Sequence, residues 1–205
     1  MSYQPKAIIF DAFGTLVKIG ESRSPYRQLM KWLRESGRKP SMYDAKIIMS
    51  YALNIEQLAL HFGHTIPIQL LNEINDDLQF ELNTIDLYED TLPTLQKLKD
   101  CGFTIALCSN LAMPYGEKLK ILLPNIFDAL FLSYEVGYIK PEQEIYEAIR
   151  DHFSCEMSEM LFIGDHPILD VKMPISLGMS ARLIERNRSQ SLLDVLKNLP
   201  KIPYE

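Results

Sequence analysis

The sequence predicts an α/β protein, a doubly wound parallel sheet interrupted by a helical insertion after its first strand. Three observations carry this reading. Short, continuously apolar runs end in polar or glycine residues at wide intervals, the pattern of strands buried on both faces of a parallel sheet. From residue 103 onward these runs alternate with helical patterns, as doubly wound folds do. Between residues 18 and 88 the periodicity is helical throughout.

The first run, Lys6-Ala-Ile-Ile-Phe10, stops at Asp11. In the insertion, Tyr26, Leu29, Met30 and Leu33 follow the i, i+3, i+4, i+7 spacing of one helix face. Ile48, Tyr51, Ala52 and Ile55 predict a second helix, and Leu71, Ile74 and Leu78 a third, with breaks near Gly37–Pro40 and Gly63–Pro67 and no strand between 18 and 88. Leu92, Leu95 and Leu98 mark a helix capped by Asp90 or Thr91 and stopped by Gly102. The strand Phe103–Cys108 stops at Ser109-Asn110, and a helix over Glu117–Leu123 ends before Pro124. Next come the strand Asp128–Leu132, a helix over Glu142–Phe153 and the strand Met160–Ile163, which stops at Gly164-Asp165. A weaker run, Met179–Ile184, and a terminal helix over Ser191–Leu199 complete the chain.

Composition narrows the function class. The chain has 205 residues, 47% hydrophobic and 23% charged, with a net charge of −6; this is the balance of an ordinary globular protein with room for a real core. It argues against a nucleic-acid binder that relies on a basic surface. No run reaches the ~18 apolar residues of a membrane span, and the N-terminal stretch lacks the basic start of a signal peptide. Cys101, Cys108 and Cys155 are too few and too irregularly spaced for a disulfide framework or a cysteine-rich zinc site. Reduced thiols in a cytoplasmic protein are expected. His61 and His64 lie three apart with no further ligand nearby, and both read as surface residues, as does His152.

In a doubly wound sheet, ligands bind outside the carboxyl ends of the strands. Asp11, Thr15, Ser109, Asn110, Asp165 and Asp170 end the apolar runs or follow them closely, and Lys140 follows the third. Taken singly, Ser109-Asn110 reads as a helix cap, Asp165 as a turn residue and Lys140 as a solvated lysine. Asp11 differs, because an acid at the end of a buried strand is expensive unless used or paired. Several carboxylates meeting in one crevice repel one another, so either a carboxyl is protonated or cations compensate. Lys140 supplies one positive charge, and an all-oxygen ligand set favours Mg²⁺ for the rest.

These segments resemble the haloacid dehalogenase (HAD) superfamily of hydrolases. Four motifs carry the likeness, in family order: Asp11-Ala-Phe-Gly-Thr15-Leu16, Leu107-Cys-Ser109-Asn110, Lys140-Pro141, and Gly164-Asp165-His-Pro-Ile-Leu-Asp170. The resemblance implies a Rossmann-like catalytic core over residues 1–17 and 88–205, with a helical cap over 18–87. It implies Asp11 as the nucleophile that forms a covalent ester. Thr15 and Ser109 would donate to the transferring group, with Asn110 beside them, and Lys140 would neutralise charge. Asp165 and Asp11, with the backbone carbonyl of Phe13, would bind Mg²⁺, and Asp170 would orient that shell or Lys140. His166 would sit at the rim of the crevice. The expected ligand is a small molecule, a phosphate ester or a haloacid, with neither nucleic acid nor membrane as partner.

Two departures pull in opposite directions. Family phosphatases carry a second aspartate two positions after the nucleophile, where this chain has Phe13, and phenyl cannot shuttle a proton. The 2-haloacid dehalogenases share that lack, since halide leaves without a proton, and their first motif is similar. Those dehalogenases, however, work without metal and replace the Gly-Asp pair that is kept here as Gly164-Asp165. The cap also lacks their Trp- and Arg-rich pattern. A Mg²⁺-dependent phosphohydrolase is the leading expectation; a dehalogenase-like hydrolase and a non-enzymatic binding or scaffold protein are the alternatives.

Overall fold

A computed structural model describes residues 4–123 and 125–199. Strand β1 (Ala7–Phe10) is buried along its whole length. A short β2 (Val17–Ile19) follows, then four helices: α1 (Pro25–Glu35), α2 (Asp44–Ser50), α3 (Ile55–His61) and α4 (Ile68–Asn83). The chain returns through β3 (Ile85–Leu87), which pairs antiparallel with β2. From there helix and strand alternate: α5 (Thr91–Asp100), β4 (Thr104–Ser109), α6 (Met113–Leu122), β5 (Ala129–Leu132), α7 (Ser133–Val136), α8 (Gln143–Phe153) and β6 (Met160–Gly164). Beyond them come α9 (Met173–Ser176), β7 (Ser180–Leu183) and α10 (Leu192–Leu196).

The main sheet has the order β5-β4-β1-β6-β7, and all its pairings are parallel. This is the doubly wound α/β architecture that the apolar runs predict. Successive strand residues alternate between two cores. Ile8, Phe10, Leu107 and Ile163 pack on one face, and Ala7, Ile9, Cys108 and Phe162 on the other, as period-two side chains in a doubly covered sheet must. Register sets the site: Phe10 lies opposite both Leu107 and Ile163, so β1, β4 and β6 all end at one edge.

Several boundaries differ from the sequence reading. The ribbon β2/β3 places two strands where none is expected, because three residues carry too little periodicity to stand out. The helix expected through Ile48–Ile55 is two helices. Asn54 breaks it by capping α3, accepting from the Gln57 backbone N–H while the Gln57 side chain accepts from Asn54 N–H. The breaks at Gly37 and Gly63 are where the chain takes φ +93° and +83°, a region glycine enters freely. Neither expected cap of α5 caps it: the Asp90 carboxylate accepts from Arg186 and Leu192, and the Thr91 hydroxyl donates to the Leu16 carbonyl. The terminal helix is shorter than expected, with Ser191 and Asp194 forming its capping box. Pro124, the expected stop of α6, lies outside the described residues. Among the described residues no helix is long and apolar enough to cross a membrane.

Candidate active site

The sequence places Asp11 immediately after β1, Ser109 at the end of β4, and Asp165 immediately after β6. Parallel pairing in register therefore brings them together, and the Asp11 N–H donates to the Ile163 carbonyl at 2.9 Å. Lys140 arrives from the loop before α8 and is 3% exposed. Its ammonium donates to Asp11 Oδ1 at 2.7 Å and to Asp170 Oδ1 at 2.6 Å. Ser109 Oγ donates to the same Asp11 oxygen at 3.1 Å. Asp11 thus gives only Oδ1 to its neighbours and keeps Oδ2 outside these bonds. Both oxygens of Asp170 are engaged, since Oδ2 accepts the His166 backbone N–H at 2.9 Å.

Asn110 acts on Lys140 through the backbone. Its Oδ1 accepts the Lys140 N–H, and its Nδ2 donates to the Lys140 carbonyl, each at 2.7 Å. This reciprocal pair fixes the backbone from which the ammonium reaches inward, and the peptide bond that follows, Lys140–Pro141, is cis. Thr15 is fully buried, and its hydroxyl has no hydrogen-bond partner. A buried hydroxyl without a partner costs about 1–3 kcal/mol, which a bound ligand would recover. His166 is exposed and its Nδ1 accepts from the Ile168 and Leu169 N–H groups, so that nitrogen is occupied in capping a turn. His61, His64 and His152 make ring contacts with Tyr51, Trp32 and Phe131 respectively.

Glycine makes the close approach of the carboxylates possible. Gly14 has φ +76°, and a Cβ there would lie 2.1 Å from Asp165 Oδ2. A Cβ on Gly164 would lie 2.3 Å from Asp170 Oδ2. Any larger residue at either position would push a carboxylate out of the cluster.

Asp11, Asp165 and Asp170 each offer an oxygen within 4.8 Å of the other two, the one such cluster among the described residues. Three carboxylates face a single ammonium. Burial pushes Asp11 up to about 6, with Lys140 opposing that rise and Asp170 adding to it. Burial by itself would lower Lys140, but Asp11 and Asp170 outweigh it and hold the ammonium above its ordinary value. Partial burial and the neighbouring Asp170 raise Asp165. Excess negative charge in an all-oxygen donor set fits a hard divalent cation such as Mg²⁺.

Phe13 stands where a second acid is expected in a phosphatase. Its ring meets Tyr115 edge-on at 5.9 Å, so the position is apolar in contact as well as in identity. Tyr115 donates to Glu81 Oε1 at 2.6 Å. Glu81, 3% exposed, also accepts from Ser22 Oγ and from the Arg23 and Ser24 N–H groups. Burial would raise its carboxyl, but these four bonds hold it below the ordinary value. Glu81 thus joins α4 to both the segment entering α1 and α6. Arg186 grips the loop after Asp11. Neither residue belongs to a motif, and a lone acid in an amphipathic helix or a lone arginine in a loop carries no signal in sequence.

Comparison with known proteins agrees with this geometry. The profile of the haloacid dehalogenase-like hydrolases matches residues 5–178. A glyceraldehyde 3-phosphate phosphatase of Methanopyrus kandleri is 23% identical over 91% of this chain and 87% of its own. An (S)-2-haloacid dehalogenase of Burkholderia cepacia is 22% identical, over 78% and 75%. A HAD family enzyme of Bacteroides thetaiotaomicron superposes with a TM-score of 0.62 at 18% identity, covering 88% of this chain and 94% of that one. The match over most of the chain, with the parallel sheet and the cluster at its carboxyl edge, sets aside the scaffold expectation: the chain belongs to the haloacid dehalogenase-like hydrolase family and is a hydrolase.

Proposed function

We propose that this hydrolase is a Mg²⁺-dependent phosphohydrolase acting on a small phosphorylated metabolite, with Asp11 as nucleophile. The observation that carries the reading is the cluster of Asp11, Asp165 and Asp170 around Lys140. A metal-free dehalogenase has no use for the excess negative charge of this cluster. Asp11, Asp165 and the Phe13 carbonyl would hold Mg²⁺, which supplies charge neutralisation for the transferring phosphoryl group. Asp170 orients Lys140 and the turn at His166 instead of offering a free oxygen.

Asp11 Oδ2 attacks phosphorus, the bond from phosphorus to the leaving-group oxygen breaks, and an aspartyl phosphate forms. Lys140 remains charged at working pH and meets the negative charge on the phosphoryl oxygens, joined by the Ser109 and Thr15 hydroxyls. Water then attacks phosphorus, releasing phosphate and restoring Asp11. Phe13 cannot protonate the leaving group, so the best substrates are those whose leaving group departs as a stable anion. The helices α1–α4, within residues 18–87, form a cap that closes over the crevice and excludes water. The three free cysteines support a reducing, cytoplasmic setting. The M. kandleri relative is named for phosphatase activity, and the B. thetaiotaomicron enzyme was solved with magnesium and inorganic phosphate; both support the same chemistry here.

Phe13 favours one second reading, carbon–halogen hydrolysis through the same Asp11. Turnover of p-nitrophenyl phosphate with and without EDTA, run beside halide release from 2-chloropropionate, separates the two. Chelator-sensitive phosphate release supports the phosphatase. Chelator-insensitive halide release without phosphate release overturns it.

A further inference from the structure

Arg186 opens a short 3-10 turn, Arg186–Arg188, after β7, outside all four motifs. Its side chain is 11% exposed. Nε and Nη2 both donate to the Thr15 carbonyl, at 3.0 and 2.6 Å. Nη1 donates to Asp90 Oδ2 at 2.9 Å and to the Gln190 carbonyl at 3.2 Å. Four of the five guanidinium N–H donors are therefore engaged. The guanidinium carbon lies over the Tyr88 ring, 4.2 Å from its centre.

The target of this grip is what matters. Residues 11–15 form a tight loop: Gly14 takes positive φ, and the Leu16 and Val17 N–H groups both turn back to the Ala12 carbonyl. The Leu16 carbonyl is held by the Tyr88 N–H and the Thr91 hydroxyl. The Thr15 carbonyl is held by Arg186 from the far end of the chain. One end of the loop carries Asp11, and the other carries the buried Thr15 hydroxyl that lacks a partner. A cavity of about 380 Å³ is bounded by Gly14, Tyr88, Asp165 and Arg186, so Arg186 shares a wall with one carboxylate of the cluster.

We propose that Arg186 is a positioning residue for the transfer step: by clamping the Thr15 carbonyl in two-point contact, it holds the Thr15 hydroxyl and the Asp11 carboxylate in register with Lys140. The inference rests on the phosphatase reading. Lysine cannot replace it, because a single ammonium lacks the planar fork that aims two N–H groups at one oxygen.

The test uses Arg186→Lys and Arg186→Ala in the full chain, with p-nitrophenyl phosphate, Mg²⁺ and thermal melts. A misplaced loop lowers kcat by on the order of 10- to 100-fold with KM nearly unchanged. Added guanidinium, but not ammonium, restores part of the activity of Arg186→Ala. Activity per folded molecule equal to wild type in both variants overturns the proposal. So does a folded Arg186→Ala enzyme whose lost activity guanidinium leaves unrestored. Should Arg186→Ala fail to fold, the kcat of Arg186→Lys decides. A wild-type enzyme inactive on phosphate esters refutes the phosphatase reading, whereas an active wild type with unaffected variants refutes this inference alone.

Discussion

Replacing Asp11 by Asn removes the proposed nucleophile and one of three crowded acids while keeping the shape of the side chain. The Asp11 carboxyl binds its proton more tightly in the fold than in the unfolded chain, at about 6 against an ordinary 3.8. Its contribution to stability is therefore complete below pH 3.8 and lost as pH rises through about 6. At ~1.4 kcal/mol per pH unit, that gap corresponds to at most about 3 kcal/mol of strain near neutral pH. Asn cannot ionise, and Lys140 keeps its ion pair with Asp170. In EDTA at about pH 7.5, Asp11→Asn melts above wild type by up to roughly 6–12 °C, from ~2–4 °C per kcal/mol for a chain of this size. The difference shrinks toward pH 4, where the wild-type carboxyl is protonated. Mg²⁺ raises the wild-type midpoint and raises the variant's less, because the variant lacks one anionic ligand. Melts followed by circular dichroism across pH, with and without Mg²⁺, read all of this, and turnover is lost in the variant throughout. A variant that melts at or below wild type in EDTA near neutral pH would show that the cluster is not charge-strained, and the case for a cation there would fail.

Two further changes test the missing acid at position 13 and the joint at Glu81. Phe13→Asp supplies the missing proton donor, so hydrolysis of an alkyl phosphate rises by on the order of 10²-fold while p-nitrophenyl phosphate changes little. Equal effects on the two substrates, measured as a ratio of kcat/KM values, would show that leaving-group protonation is not the deficit. Glu81→Gln turns an acceptor of four hydrogen bonds into a group that presents N–H to donors, at a cost of about 1–3 kcal/mol. Because Glu81 sits below its ordinary 4.5 in the fold, its contribution is present above that value and lost as pH falls through the lower folded one. The midpoints of wild type and Glu81→Gln therefore converge in acid; a gap that persists there would mean that packing, not charge, accounts for the loss.

The sheet was legible in sequence because a strand buried on both faces has to be apolar without interruption, as Ala7–Phe10 and Met160–Ile163 are. The helices between residues 18 and 88 were legible where a long stretch kept one apolar face, as in α1 and α4. Helix ends were misread where a side chain could serve two partners. Asp90 looks like a cap for α5, yet its carboxylate answers to Arg186 and to the start of α10, neither of which is near it in sequence.

At the site, sequence determined the chemistry available: a carboxylate after the first strand, a lysine, hydroxyl donors, and an apolar Phe13 where family phosphatases carry an acid. Asp11, Ser109 and Asp165 sit at or just after strand ends, which parallel pairing in register brings to one edge, while Lys140 joins them from the loop before α8. Tertiary structure decided how the charges are shared. Only in three dimensions does Lys140 divide its ammonium between Asp11 and Asp170, Asn110 turn its amide onto the Lys140 backbone, and Arg186 reach back across most of the chain to Thr15. Hydrogen bonds and ion pairs depend on ångström distances between groups far apart in sequence, and no local pattern encodes those distances. Burial does leave such a pattern, and so the fold could be read where the wiring of the site could not.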